Sequence, residues 1–336
     1  SSPTGAACGY ALDASPMPDP WSAEVAPFVD RCLFGDARER LAELPAGSVH
    51  CCVTSPPFYG LRDYGHASQI GLESTPAEYI AQMVGVMAEV RRVLRDDGSL
   101  WLEVGDSYSG SANSGSAHGL KPKDLIGIPW RLALALQADG WYLRADIIWH
   151  RNNPMPESVT DRPTKAHSYV FLLTKRARYF YDADAVREGY AGIGKYGGSA
   201  GNKSGANGDR NDAGRSNVML DSAGRNARSV WTINTRPFAG AHFAVMPEEL
   251  PRRCILAGTS EAGVCRDCGA PWTRIVERTG MPDPEYQGDD LDPLRKSNND
   301  ADRRRSMSGA KYAAFKAENP DRLLGWRLAC DHDAPT

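Results

Sequence analysis

Between Ala37 and Thr174, short apolar runs alternate with amphipathic stretches long enough to be helices, which restricts this chain to a sheet covered by helices. Arg31–Phe34 is short and apolar and ends at Gly35-Asp36, and Ala37–Leu44 reads as a first helix. Val49–Val53 reads as a buried strand running into Thr54-Ser55-Pro56-Pro57-Phe58. Pro76–Leu94 is the longest helix, with Ile80, Met83, Val84, Met87 and Val90 on one face and Thr75 as its N-cap. Asp97-Gly98 turns the chain into a strand over Ser99–Val104. Leu125–Ala138 is a second amphipathic helix, Trp141–Trp149 a further strand and Tyr169–Leu173 a central strand. Strands separated by helices of this length predict a largely parallel sheet with both faces covered. Trp130, Trp141 and Trp149 lie in apolar elements and read as core.

The rhythm stops near residue 188. Residues 189–228 are rich in Gly, Asn, Ser, Asp and Arg, too polar to bury a core, and read as a loop that orders on a partner or as a plain linker. Predicted organisation is a flexible arm over 1–28, a core over 29–188, the loop over 189–228, a return to the core over 229–260 and a Cys-rich module over 261–336. With 39 basic and 42 acidic residues the formal charge is −3, which excludes a polycation but is compatible with basic residues gathered on one DNA-binding face. No apolar run is long enough for a membrane span and no signal peptide is apparent, so a cytoplasmic setting is expected.

Chemistry is most legible at Ser55-Pro56-Pro57-Phe58, directly after a buried strand, where open α/β sheets collect ligands. Two prolines fix φ and remove two N–H donors, leaving carbonyls that only accept. Ser55 adds another acceptor, and Phe58 an exposed ring. An exocyclic amine is a poor nucleophile because its lone pair is delocalised into the base. Accepting both its hydrogens, at Ser55 and the Pro56 carbonyl, favours a tetrahedral nitrogen able to attack a sulfonium methyl group. Phe58 would stack on a base flipped out of the duplex. The bland reading of the same four residues is a strand-ending Pro-Pro turn.

The surrounding sequence resembles the DNA N4-cytosine/N6-adenine methyltransferases of the permuted class, in which the catalytic motif precedes the cofactor motif. The resemblance is carried by Val49–Tyr64 around Ser-Pro-Pro-Phe, by Phe34-Gly35-Asp36, and by Gly98–Trp101 with its Val104-Gly105-Asp106-Ser107-Tyr108 continuation. Ile128–Arg131, Asp146–Glu157, Tyr169–Lys175 and His242–Leu250 follow in the family's order. It implies a Rossmann-like S-adenosylmethionine-dependent methyltransferase sheet with a variable target-recognition insert, acting on double-stranded DNA in a bacterial or phage-infected cell. Ser55, Pro56, Pro57 and Phe58 would be catalytic, and the late motif with His242, Phe243 and Pro247 would hold the methionine end of the cofactor beside Ser55. Ser-Pro-Pro-Phe is commoner among the N4-cytosine enzymes and Asp-Pro-Pro-Tyr among the N6-adenine ones, which favours cytosine N4 over adenine N6. The family's acidic-Pro-Phe-x-Gly-x-Gly cofactor segment is not found in the sequence. The resemblance therefore implies a further C-terminal segment or a complementing chain, weak cofactor binding by these residues alone, or a non-catalytic DNA-binding relative.

Asp36, Glu103 and Asp106 follow strand ends, where they either hold the cofactor's ribose or amino group or serve turns and helix caps. Arg62, Lys121, Lys123, His150, Arg151, Arg162 and Lys165 flank the strand ends and as a set are the candidates for contacts to the DNA backbone. Among eight cysteines, Cys51 and Cys52 read as buried thiols in a strand. Cys265 and Cys268 form a Cys-x-x-Cys-Gly knuckle, and Cys330 and His332 are their only later partners. Two tight pairs of soft ligands suit a structural zinc ion, with free thiols or a redox pair as the alternatives.

Overall fold

A computed structural model describes residues 24–110, 120–188, 225–238, 245–279, 315 and 318–332. Helix α1 (Ala37–Ala42) is followed by strand β1 (Val49–Thr54), helix α2 (Pro76–Val93) and strand β2 (Leu94–Val104). Helix α3 (Ile128–Ala138), strands β3 (Tyr142–His150) and β4 (His167–Thr174) and the short strand β5 (Val230–Thr232) come next. Helix α4 (Glu249–Gly258) and strands β6 (Trp272–Glu277) and β7 (Arg322–Leu328) follow, and a 3-10 turn (Ala26–Phe28) precedes α1. Arg31–Phe34, although apolar in part, forms no element and is exposed.

The predicted helix starts are explained by their caps. Thr75 and Glu78 form a reciprocal capping box on α2, each side chain accepting from the other's backbone N–H. Pro76 occupies the first turn, where a missing N–H costs nothing. α3 starts later than its apolar pattern suggests, because Gly127 takes a left-handed conformation (φ 78°) at the N-cap.

Among the described residues five strands form one sheet in the order β1-β2-β4-β3-β5. β1 runs parallel to β2 and β3 parallel to β5, but β4 is antiparallel to both β2 and β3. The expected largely parallel sheet is thus corrected to a mixed one. Crossovers through α2 and α3 return the chain to the same end of the sheet, whereas residues 151–166 contain no helix and simply reverse it. Strand periodicity carries no record of direction.

Both faces are covered. α2 and α3 pack on one face around Met83, Met87, Leu100, Leu102, Leu132 and Phe171. On the other, α4 packs against Trp101, Ile147, Trp149, Val170 and Trp231. Alternation along β1 sends Cys52 to the first core and Cys51 and Val53 to the second. α4 comes so close that a Cβ on Gly258 would lie 2.8 Å from Cys51 Sγ and 2.7 Å from Ser99 Oγ. Burial pushes the Cys51 thiol up to about 11 and Cys52 up to about 12, so both are inert packing groups. Trp141 and Trp149 are core residues as expected, while Trp130 is part-exposed and lies edge-on to Tyr169 and Phe171.

β6 and β7 form a separate antiparallel pair. Arg274 of β6 ties it to the core through buried Asp182 at 2.7 Å. The polar excursion beyond Glu188 leaves and returns at one place: Glu188 and Arg225 exchange backbone hydrogen bonds, and the Glu188 carboxylate accepts from Arg225 and Arg228.

Candidate active site at the carboxyl end of β1

Ser55 is the first residue beyond β1 and is exposed. Its hydroxyl donates to Glu103 Oε2 at 2.5 Å. Glu103 stands next to last in β2, is 4 % exposed, and is the one carboxylate in the run Leu100–Val104. Burial raises its pKa above the ordinary carboxylate range, opposed by hydrogen bonds from Ser55 and Ser168 and by the charge of Arg151. Because Ser55 spends its only proton on Glu103, the lone pairs of its oxygen are left to accept from outside. Glu103 is thereby a partner of Ser55.

Pro57 is anchored from below, its carbonyl accepting from the Tyr79 hydroxyl at 2.9 Å. Tyr79 is fully buried on α2 and packs against Tyr59. No donor within the described residues reaches the Pro56 carbonyl, so the adjacent residues Ser55 and Pro56 each offer an acceptor, Oγ and O, with no donor to it among the described residues. Phe58 differs from expectation: its ring is half-buried and rests on Gly105 just past β2. A Cβ at Gly105 would lie 2.6 Å from Phe58 Cε2, so only glycine allows this approach. Sequence reasoning missed Tyr79, Gly105 and Ser168, since each acts through a contact that only the packing of separate elements creates.

Asp36 and Asp106 are both engaged at helix starts, the second of the two roles their positions allow. Asp36 accepts from the Arg38 backbone N–H at 2.8 Å and pairs with the Arg38 guanidinium, which holds its carboxyl at about 2. Asp106 accepts from Gly127 N and Ile128 N at 3.0 Å and so caps α3. Pro247 lies in the turn entering α4, its carbonyl accepting from Leu250 N. His242 and Phe243 lie outside the described residues.

Several of the predicted DNA contacts converge beyond the ends of β2 and β3. Lys165 Nζ donates to the Asp106 carbonyl at 3.0 Å, and Arg162 lies over the Tyr108 ring at 4.0 Å while pairing with Glu157. Arg151 packs over Trp149 and donates to Ser168. His150 contacts Thr232, Lys123 pairs with Asp161 at 2.6 Å, and Lys121 approaches Asp124 at 3.7 Å. The cations feel one another. Burial first, then Lys165, Arg151 and His150, lower the pKa of His167. Lys165 is lowered by burial against the attraction of Asp106. Arg62 sits apart from this cluster in sequence, in the loop that leaves Phe58, and is half-buried.

Residues 49–269 match a family described as N6/N4 DNA methylases. The chain is 45 % identical over 280 residues to the Type II methyltransferase M.Cfr9I of Citrobacter freundii, covering 77 % of this chain and 82 % of that protein. It is 48 % identical over 243 residues to the Type II methyltransferase M.XycI of Xanthomonas campestris pv. cyanopsidis, covering 67 % and 71 %. Among solved structures, the PvuII DNA methyltransferase, described as cytosine-N4-specific, aligns with a TM-score of 0.45 and 18 % identity over 67 % of this chain and 68 % of that one.

Proposed function

Because this chain belongs to the N6/N4 DNA methylase family, we propose that the end of β1 transfers a methyl group from S-adenosylmethionine to N4 of a cytosine flipped out of duplex DNA. The observation that carries the reading is a pair of acceptors with no donor to them among the described residues, Ser55 Oγ and Pro56 O, on a rigid Pro-Pro segment. A planar aromatic amine presents two N–H groups. Accepting both of them draws the nitrogen towards a tetrahedral form with its lone pair free. The cofactor supplies an electrophilic methyl sulfonium; the acceptor pair fits the amine that meets it. Ser55 holds one amine hydrogen and Pro56 the other. The surplus proton of a methylated amine would leave through the acceptors that hold it, Ser55 being already linked to Glu103.

Phe58, braced on Gly105, gives the flipped base one apolar face. Arg151, Arg162 and Lys165 gather positive charge beside it for the phosphates, with His150, Lys121 and Lys123 around them. The clasped excursion between Glu188 and Arg225 is the element assigned to target recognition, and Pro247, with His242 and Phe243, the one assigned to the cofactor's methionine end. The Type II names of the relatives support a role in restriction and modification. Cytosine is preferred on the Ser-Pro-Pro-Phe form of the motif, since the acceptor pair itself would serve either base.

The test is mass spectrometry of nucleosides from DNA of cells expressing this chain, beside a Ser55→Ala control. N4-methylcytosine that disappears in the control supports the reading. N6-methyladenine with the same dependence replaces the base but keeps the site. If neither base appears, these residues do not methylate DNA by themselves and the proposal for this chain fails.

A further inference from the structure

Cys265, Cys268, Cys330 and His332 come from two segments more than sixty residues apart in sequence, yet their potential ligand atoms all lie within 4.8 Å of one another. Cys265 Sγ and His332 Nδ1 are 3.8 Å apart. A tetrahedral zinc ion with bonds of about 2.3 Å to sulfur and about 2.0 Å to nitrogen requires ligand separations of roughly 3.5 to 3.8 Å. The four atoms therefore need to close by about 1.3 Å at most. The three cysteines are free thiols.

Local backbone bonding explains why they meet. Cys265 N donates to Ala270 O at 2.7 Å and Gly269 N to Cys265 O at 2.8 Å, folding Cys265–Ala270 into a knuckle. Gly269 completes it in a left-handed conformation (φ 69°). In the β6–β7 pair Trp272 faces Leu328, so the residues before Trp272 and those after Leu328 fall together, and Ala329 N donates to Pro271 O. Cys330 and His332 are thereby delivered to the knuckle.

The knuckle is also docked on the catalytic sheet. His50 Nε2 lies 2.9 Å from the Gly269 carbonyl and must donate, since a carbonyl only accepts. Arg95 Nη1 donates to the Cys268 carbonyl at 2.9 Å. A Cβ on Gly269 would sit 2.7 Å from that same Arg95 nitrogen. His50 belongs to β1 and Arg95 to β2, both at the end of the sheet opposite Ser55. Five residues of strand separate His50 from Ser55, about 16 Å at ~3.3 Å each.

We propose that Cys265, Cys268, Cys330 and His332 bind one structural zinc ion, which closes the module and fastens it to the amino-terminal ends of β1 and β2. Four protein ligands fill a tetrahedral site, so the ion has no position for a reacting water and acts through folding alone.

Whole chain purified from zinc-supplemented medium should contain about one zinc per molecule by mass-spectrometric metal analysis, and His332→Ala should lose most of it. His332 is exposed, so this substitution removes a ligand without cutting into a core. Cobalt exchanged into the wild-type chain should show the visible bands of a tetrahedral thiolate-rich site. His332→Cys should keep a metal and shift those bands. Iodoacetamide should label Cys265, Cys268 and Cys330 only after chelation, while exposed Cys32 reacts throughout as the internal control. A chain with no zinc and no cobalt bands overturns the proposal. So does labelling that chelator leaves unchanged, or a Cys265–Cys330 disulfide in peptides mapped without reductant.

Discussion

Ser55 donates its hydroxyl proton to Glu103 at 2.5 Å, across the ends of two neighbouring parallel strands. The hydroxyl is thereby oriented as an acceptor before any substrate arrives. Ser55→Ala deletes one of two amine acceptors, and losing one such preorganised group costs about 10²- to 10³-fold in rate. The same change strips a hydrogen bond from buried Glu103 and should cost about 1 to 3 kcal/mol of stability, so rates are compared where both chains are folded. A methylation rate within tenfold of wild type would show that the Pro56 carbonyl suffices.

Glu103 pulls stability and activity in opposite directions. An unfolded glutamate ionises near pH ~4.3, whereas burial raises the pKa of Glu103 in the fold. Between those two values the folded chain holds a proton that the unfolded chain has released, so stability falls as pH rises through that window. Glu103→Gln should therefore resist denaturant better than wild type at pH 7, with the advantage closing towards pH 4. Methyl transfer should fall in the same variant, as proton acceptance by a carboxylate is lost. A variant less stable than wild type at pH 7 would mean that the charge of Arg151 outweighs the cost of burial.

Gly105→Ala would drive a methyl group into the Phe58 ring, with a predicted overpacking cost of about 1 to 3 kcal/mol. Adding Phe58→Leu should relieve much of that loss in urea unfolding. It should not restore methylation, because the stacking face is gone. Recovery of both together would reduce Phe58 to a packing residue.

Asp106 separates a cap from a cofactor contact. Asp106→Ala should cost about 0.5 to 2 kcal/mol through the frayed start of α3. Asp106→Asn keeps the accepting oxygen and should recover most of that. Calorimetry of S-adenosylmethionine binding is the discriminating measurement: unchanged affinity in the Asn variant fits a cap, and a large loss returns Asp106 to the cofactor site.

The cationic cluster predicts a salt dependence. Arg162→Gln and Lys165→Gln should each weaken duplex binding whatever its sequence. Each should also lower the slope of log affinity against log salt by about 0.9 for every phosphate no longer neutralised. Parallel salt titrations with an unchanged slope would remove these side chains from the DNA path.

Where the sequence was readable, it was so through local chemistry. The α2 start was legible because Thr75, Pro76 and Glu78 each favour it independently, and β1 because five apolar or small residues run into two prolines. The acceptor pair was visible in the same stretch. Direction was not legible: β4 sits between β2 and β3 with the opposite sense, and no residue type encodes that. Glu103 left a trace, a single carboxylate amid Leu100–Val104, but register alone sets it beside Ser55 and Ser168. Asp36 and Asp106 were found as special positions, yet their capping bonds depend on where α1 and α3 begin.

Within the described residues, β1 is hydrogen-bonded to a strand on one side only. Among those residues, the segment proposed to carry the chemistry is held by one neighbouring strand, by α4 across its face and by a clasp at its start. Such a margin yields to heat before the middle of a sheet does. Methylating capacity should fade on warming while β2, β4 and β3 are still intact, so a thermal inactivation curve would precede the loss of circular dichroism and report on β1 rather than on the middle of the sheet.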